Sequence, residues 1–423
     1  MSAPHVSADA NGNGTHAGMA AQVGAPTNPM ATALLTDQYQ FSMAYAYWKA
    51  GKHADRAVFD LYFRKNPFGG EFTVFAGLEE CIKFIANFKF TEHDISFLQS
   101  VMPMCEGAFF DYLREVDCSD VEVYSIPEGS VVFPKVPLMR VEGPVAGPDG
   151  AISASKYCFM GGFDATSNVL AGNLFGIPLR GTHSHAFVSS YMSLDEIPDK
   201  VLRSKDGSRV CQDFVSLVQE WLQKIQVADS LGGAFGDTNQ SELAAFVSYA
   251  LAFPSNFLAL VDTYDAALGC VFKLVEINSK PRIKLSEDVA KVSIPCKKRC
   301  FRLYGKEGYP LVDIMIRESE PSPKAGERIL CRHPFIESKR AYVVPQHVEE
   351  LLQCYWPGRS DKPRAELPSL DKIRSRCMQQ LEKLRPDHTR RLNPTPYKVS
   401  VSAKLYEFIH CLWLNEAPVG ELQ

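Results

Sequence analysis

Ile177-Pro178-Leu179-Arg180-Gly181-Thr182-His183-Ser184-His185 and Phe257-Leu258-Ala259-Leu260-Val261-Asp262-Thr263-Tyr264-Asp265 share one design. Each is a short, largely apolar run that passes directly into polar, titratable residues. Such a run reads as a buried strand. Barrels and open α/β sheets place their chemistry at the carboxyl ends of buried strands. Helices lie between the two runs. Phe214, Leu217, Val218, Trp221, Leu222 and Ile225 recur at helical spacing. Ser241 is placed to cap a second helix that runs to Phe253, where Pro254 closes it. The middle of the chain therefore reads as α/β.

Working outward, Thr36 is placed to cap a helix with Asp37 in its first turn. Tyr39, Met43, Ala46, Tyr47 and Ala50 line one face of it, and Gly51 stops it. Residues 57–63 read as a strand and Asn66-Pro67-Phe68-Gly69-Gly70 as a turn. Leu78, Ile82 and Ile85 mark the next helix. Strands follow at 121–126, 130–133 and 138–141, separated by Pro and Gly, as in a small, partly antiparallel layer. From Val271 the chain is strand-rich again, at 271–276, 282–285, 301–303, 311–315, 329–331 and 341–344. Helices are expected near 369–384 and 403–413. The expected organisation is a disordered tail over 1–30, an α+β domain over 31–145 and a partial α/β barrel over 146–270. A strand-rich segment over 271–350 packs with the N-terminal domain, and a helical segment covers 351–423.

A length of 423 residues suits two or three domains. With 46% hydrophobic and 22% charged residues, the composition is that of a soluble globular protein. A net charge of -4 argues against nucleic acid or an anionic membrane as the main partner. An anionic substrate must then be held by local charge and backbone N–H groups. The 12 cysteines are dispersed and form no C-x-x-C, which disfavours structural zinc and a disulfide framework and suits the reducing cytosol. Residues 1–30 carry no signal-peptide core, and no later run has the length of a membrane span.

Four groups can carry chemistry. A histidine in Thr182-His183-Ser184-His185 can act as a base, or as a nucleophile toward phosphate; packing or a turn hydrogen bond explains an H-x-H equally well. Gly161-Gly162-Phe163-Asp164-Ala165-Thr166-Ser167-Asn168 can cradle a phosphate if a helix starts at Ser167, or be an ordinary turn. Asp262 and Asp265 can hold a ribose or Mg²⁺, or simply be solvated. Tyr39 and Tyr47 can stack on an aromatic ring, or pack in the core.

Five blocks resemble the nicotinate phosphoribosyltransferase family. They are Leu34-Leu35-Thr36-Asp37-Gln38-Tyr39-Gln40, Phe63-Arg64-Lys65-Asn66-Pro67-Phe68-Gly69-Gly70, Gly161-Gly162-Phe163-Asp164 with Ser167-Asn168-Val169, Gly181-Thr182 with His185, and Asp262-Thr263-Tyr264-Asp265. The run from Phe272-Lys273-Leu274 through Lys284-Leu285-Ser286 is similar as well. The resemblance implies the type II phosphoribosyltransferase fold, an irregular α/β barrel with a mixed α+β domain built from N- and C-terminal segments. It implies formation of nicotinate mononucleotide from nicotinate and phosphoribosyl pyrophosphate in NAD salvage. ATP is the co-substrate, with Mg²⁺ or Mn²⁺ required. By resemblance His185 is the transiently phosphorylated histidine, and Thr182 contacts nicotinate. Tyr39 stacks on the pyridine ring across a homodimer with shared sites. Gly181, Ser167, Asn168 and Asp262 fall at further substrate-binding positions.

The chain departs from this family at two points. After Leu138-Met139-Arg140-Val141-Glu142-Gly143-Pro144 a helix-rich segment of the family is missing. After Asp265 the strand–helix units carrying an Arg-Leu-Asp-Ser-Gly-Asp motif and a Gly-Thr-Ser phosphate loop are missing too. A closed eight-stranded α/β barrel takes ~250 residues, and residues 146–270 supply about half of that. The expectation is an incomplete barrel. Three readings follow: an active enzyme, a non-catalytic relative that dimerises with a longer subunit, and a product that does not fold stably.

Overall fold

Arg-Ala-Val-Phe-Asp-Leu-Tyr-Phe, with apolar residues on both faces, is the composition of a strand with neighbours on each side. In the computed structural model it is the middle of a sheet. The structure describes residues 23–66, 70–144, 169–170, 173, 179–180, 183, 185–204, 206–228, 239–254, 257, 270–286, 288–390 and 392–416. Helix α1 (Gln38–Lys49) leads into β1 (Arg56–Phe63), β2 (Thr73–Val74) and helices α2 (Leu78–Ala86), α3 (Glu92–Val101) and α4 (Gly107–Glu115). Strands β3 (Glu122–Ser125), β4 (Val131–Val132) and β5 (Met139–Pro144) follow. The next part holds α5 (His185–Ser189), the ribbon β6 (Leu202–Arg203) and β7 (Val210–Cys211), and helices α6 (Phe214–Ala228) and α7 (Gln240–Ala252). Then come β8 (Cys270–Ile277), β9 (Lys280–Pro281), β10 (Lys298–Tyr304), β11 (Pro310–Arg317), β12 (Ile329–Arg332), β13 (Arg340–Val343), β14 (His347–Glu350) and β15 (Gln353–Trp356). Helices α8 (Leu370–Glu382) and α9 (Pro386–Thr389), strand β16 (Lys398–Val401) and helix α10 (Ala403–Glu416) close the described chain.

Two six-stranded sheets result. The first has the order β15-β3-β5-β1-β8-β9, and the second β13-β12-β16-β11-β10-β14. In the first, β1 pairs antiparallel with β5 and with β8, so residues far apart in sequence meet on its two edges. Phe59 and Phe272 stack across the β1–β8 seam with ring centroids 4.8 Å apart. One core joins the sheets to helices α2 and α10 through Leu78, Ile82, Val123, Trp356, Leu405 and Ile409. A second core is mostly helical. It gathers α1, α3, α4, α5 and α7 around Tyr45, Tyr47, Phe109, Phe187 and Tyr249. The mixed α/β architecture is the expected one. Among the described residues, the middle of the chain supplies three helices and one short ribbon but no closed barrel.

Local details correct the sequence reading. Asp37, not Thr36, occupies the cap position of α1, and its side chain makes no capping bond. Thr36 is buried instead. Asn239 rather than Ser241 caps α7, its side chain accepting from the backbone N–H groups of Ser241 and Glu242. Residues 282–285 are irregular rather than a strand. The strand ends at Pro281, which follows a two-residue turn whose residues Asn278 and Ser279 both have positive φ, 47° and 61°. Helices α3 and α4 were not read from the sequence, although α3 carries a complete capping box. Thr91 Oγ accepts from Asp94 N at 3.2 Å and Thr91 N donates to the Asp94 carboxylate at 2.9 Å.

A buried ion pair ties the two sheets together. Lys298 of β10 and Asp60 of β1 are 2.7 Å apart, with side chains 1% and 3% exposed. The ammonium also donates to the carbonyls of Ile294 and Cys296, each at 2.7 Å. Helix α8 buries none of its residues. It is held from below instead: Val131 N donates to Gln380 Oε1 at 2.7 Å and Arg376 donates to the Glu128 carbonyl at 3.2 Å. Gly129, with φ 84°, lets the backbone approach so closely that a Cβ there would lie 2.4 Å from the Ile373 carbonyl oxygen.

Two stability outcomes follow. Asp60→Ala strands a buried ammonium and lowers stability by about 3–5 kcal/mol in urea unfolding. Gly129→Ala combines positive φ with a backbone clash, and costs more than the roughly 1 kcal/mol of an unstrained glycine replacement. An unfolding midpoint unchanged in either variant contradicts the corresponding account.

Candidate active site

The opening block and the glycine-led block meet. Val169 N donates to the Thr36 carbonyl at 2.7 Å, just before α1 begins and just after the 161–168 run. Tyr39 sits in the first turn of α1 and is half-buried. One turn on, Ser42 Oγ donates to the Tyr39 carbonyl at 3.1 Å. Ser42 also bonds the hydroxyl of Tyr249 on α7, whose pKa burial pushes up to about 12.

Helix α7 carries the aromatic wall of the region. His183 lies edge-on to Phe246 with centroids 5.0 Å apart, and 5.4 Å from Tyr249. Its Nδ1 finds no partner among the described residues. Burial holds the His183 pKa below the usual imidazole value, so the ring stays neutral. Two residues later α5 begins at His185. His185 thus opens a helix whose Phe187 is buried against Tyr47, while residues 177, 178, 181 and 182 of the expected strand and its polar end lie outside the described residues.

Hydrogen bonds lock α5 between α1 and α7. The Tyr47 hydroxyl donates to Ser190 Oγ at 3.0 Å, and Ser190 Oγ donates to the Phe187 carbonyl at 2.7 Å. Full burial raises the Tyr47 pKa far above the ordinary phenol value. Tyr191 and Ser248 hydroxyls are 2.7 Å apart. The Lys52 ammonium lies 4.1 Å from the Tyr191 ring centre and 2.5 Å from Glu196.

Beside α5 is a cavity of about 220 Å³ lined by Ser189, Tyr191, Asn239, Arg282, Lys284 and Glu416, among others. Arg282 is 6% exposed. One of its terminal N–H groups donates to the Pro281 carbonyl at 3.1 Å, while Nε has no partner among the described residues. Burial lowers its pKa, and the carboxylates of Glu196 and Glu416 oppose that shift. Guanidinium groups remain charged in proteins. A buried guanidinium beside a lysine and several hydroxyls suits a phosphate or pyrophosphate group.

Of the residues singled out in the sequence, Tyr39 and His185 thus lie on helices that both pack against α7. Gly181, Thr182, Ser167, Asn168 and Asp262 lie outside the described residues. Arg282 and Lys284 had not been read as site residues. The signal available was Lys280-Pro281-Arg282-Ile283-Lys284 itself, a basic run after a tight turn.

Fold and cavity together define an α/β protein with a small polar cleft beside a histidine-led helix, lined by the cations of Arg282 and Lys284 and the carboxylates of Glu242 and Glu416. Models of the nicotinate phosphoribosyltransferase N-terminal and C-terminal domains match residues 34–147 and 297–409. Nicotinate phosphoribosyltransferase 2 of Arabidopsis thaliana is 58% identical, with 94% of this chain and 97% of the relative covered. The Caenorhabditis elegans nicotinate phosphoribosyltransferase is 37% identical over 92% and 95%. The crystal structure of human nicotinic acid phosphoribosyltransferase superposes with a TM-score of 0.55 at 31% identity, covering 89% of this chain and 100% of that one. The chain belongs to the nicotinate phosphoribosyltransferase family. The Arabidopsis alignment spans 540 positions, whereas 94% of 423 residues is about 398, so about 140 aligned positions hold no residue of this chain.

The buried, neutral His183 makes stability depend on pH. Its folded pKa lies below the unfolded value of about 6.5, so its contribution is present above that pH and is lost on acidification. His183→Phe keeps a ring in place and removes that proton uptake. Urea midpoints measured from pH 7 to pH 5 fall less steeply in the variant than in the parent; parallel slopes rule the account out.

Proposed function

We propose that this chain binds nicotinate and phosphoribosyl pyrophosphate and forms nicotinate mononucleotide, with pyrophosphate leaving. A nicotinate phosphoribosyltransferase relative 58% identical carries the reading, and the two cations lining the cavity beside α5 support it chemically. Glycosyl transfer needs two reactants held together and negative charge neutralised on the departing pyrophosphate. Arg282 and Lys284 are the cations placed for that charge. Tyr39 stacks on the pyridine ring of a site shared with a second copy of the chain. Thr182 contacts nicotinate, and Gly181, Ser167, Asn168 and Asp262 complete the substrate contacts.

His185 is the residue we assign to ATP coupling. Its ring nitrogen attacks the terminal phosphorus of ATP, the bond to the bridging oxygen breaks, and ADP leaves. The resulting phosphohistidine changes the charge beside the cleft and biases the transfer. Mg²⁺ or Mn²⁺ belongs with the phosphates. No cluster of three or more ligating side chains exists among the described residues. Such ions are commonly held by one or two carboxylates plus substrate phosphate, and Asp262 suits that role.

The roughly 140 unoccupied alignment positions favour a second statement: the chain alone is a slow enzyme. Loss of one transition-state donor typically costs on the order of 10²–10³ in rate. The purified chain, assayed with nicotinate, phosphoribosyl pyrophosphate, ATP and Mg²⁺, is expected to turn over at least a hundredfold more slowly than the Arabidopsis relative. Turnover within tenfold overturns that statement. Radiolabelled terminal phosphate of ATP is expected to enter the chain as an acid-labile adduct that His185→Ala abolishes. Label retained in His185→Ala removes the histidine assignment without touching the first statement.

A further inference from the structure

A second cavity, among the described residues, shares no lining residue with the one beside α5. It has a volume of about 760 Å³ and lies between the second sheet and helix α8. Its floor is Tyr304, Gly305 and His347, at one end of β10 and β14. Its basic groups come from two directions. Lys306 stands on the turn between β10 and β11, while Lys372, Arg376 and Lys383 project from α8 and its C-terminal end.

None of these four cations has a carboxylate within ion-pair distance among the described residues. Other basic side chains do: Lys83, Arg114, Lys224, Arg299 and Lys362 are each paired. Lys372 and Arg376 are four residues apart, and like charges at that spacing disfavour a helix. Two acids also line the cleft. Glu349 accepts the Tyr304 hydroxyl, and Asp371 is in the first turn of α8. The six charged groups sum to +2 in a chain of net charge -4. The α8 wall is also fixed in place, because Gln380, Arg376 and the close approach at Gly129 pin α8 to β4 and the segment that leads into it.

We propose that this cleft is a second anion-binding site, taking a small molecule with two or more linked phosphates. Several observations select this class. The volume is that of a small-molecule site rather than an extended surface track. The donors are three lysines and an arginine, the side chains that meet phosphate oxygens, arranged around a cleft instead of in a line. A single phosphate engages only part of a cation set delivered from two walls; linked phosphates reach both. Inorganic pyrophosphate and the tail of a nucleoside polyphosphate share this chemistry. The site stands on the cleft alone and does not depend on the activity proposed above.

The test is calorimetric titration of the full chain with pyrophosphate, ATP, AMP and inorganic phosphate. Two saturable classes of pyrophosphate site are expected. Lys372→Glu combined with Lys383→Glu weakens one class at least tenfold and leaves the other. Lys284→Ala does the reverse. Lys372→Arg with Lys383→Arg retains both, and an unchanged thermal midpoint shows that the charge-reversed chain is folded. AMP and inorganic phosphate bind the cleft at least tenfold more weakly than pyrophosphate. ATP matching pyrophosphate there identifies recognition of a phosphate tail, while weaker ATP identifies free pyrophosphate as the ligand. A single class lost with Lys284→Ala, titrations indifferent to Lys372→Glu with Lys383→Glu, or no saturable pyrophosphate binding each overturns the proposal.

Discussion

The contact between Lys298 and Asp60 sets the terms for everything around it. Two charges removed from water are unfavourable unless every hydrogen-bonding position is met. Here the carboxylate takes one ammonium proton and two carbonyls meet the rest. Those carbonyls belong to the segment that leads into β10, so the pair fixes where the second sheet starts relative to the first. It also explains the tolerance of a positive φ, 64°, at the non-glycine residue Cys296, whose carbonyl must point at the ammonium. A similar logic recurs inside the second sheet. Arg302 and Asp313 make two parallel bonds of 2.8 Å, and the Tyr397 hydroxyl caps the same carboxylate at 3.0 Å. The architecture thus commits buried charge at two places where an apolar contact could slide.

Much of the local structure is legible in the residues. Helix α2 follows from Leu78 and Ile82 one turn apart, and β11 from its β-branched Val312, Ile314 and Ile316. Strand β14 is less legible, since His-Val-Glu-Glu carries one apolar residue and gains its place only by pairing with β10. What no local pattern reveals is partnership. Nothing in residues 56–63 says that one edge belongs to residues 139–144 and the other to 270–277. Arg282 and Lys284 stayed hidden for a related reason. Their role arises from an irregular path that carries them to α5, and alternation arguments are blind to irregular backbone. Tyr39 and His185 were singled out by family likeness, which reports chemistry inherited as a set rather than anything periodicity encodes.

Around α5 the molecule uses aromatic burial to hold polar groups in place. Tyr47, Tyr191 and Tyr249 each bury a ring and direct a hydroxyl at a serine. The rings supply apolar area and the hydroxyls supply direction. A short helix of five residues has little intrinsic stability, so the tethers at Ser190 and Tyr191, just past its end, hold it while the Tyr249–Ser42 bond joins α7 to α1. The cavity beside α5 inherits that position.

The central placement of β1 also says how the first sheet tolerates change in what lies between its strands. Its two partners are separated by a connection running from Pro144 to Cys270. Ring-closure entropy grows only with the logarithm of the connecting length, at about 0.6 kcal/mol for each doubling. Adding about 140 positions, the number that the Arabidopsis alignment leaves without a residue of this chain, would roughly double that connection. The sheet therefore closes at almost the same free energy with the short or the long connection. The segment between them can change in length while the scaffold that presents α1 and Arg282 is left nearly unperturbed.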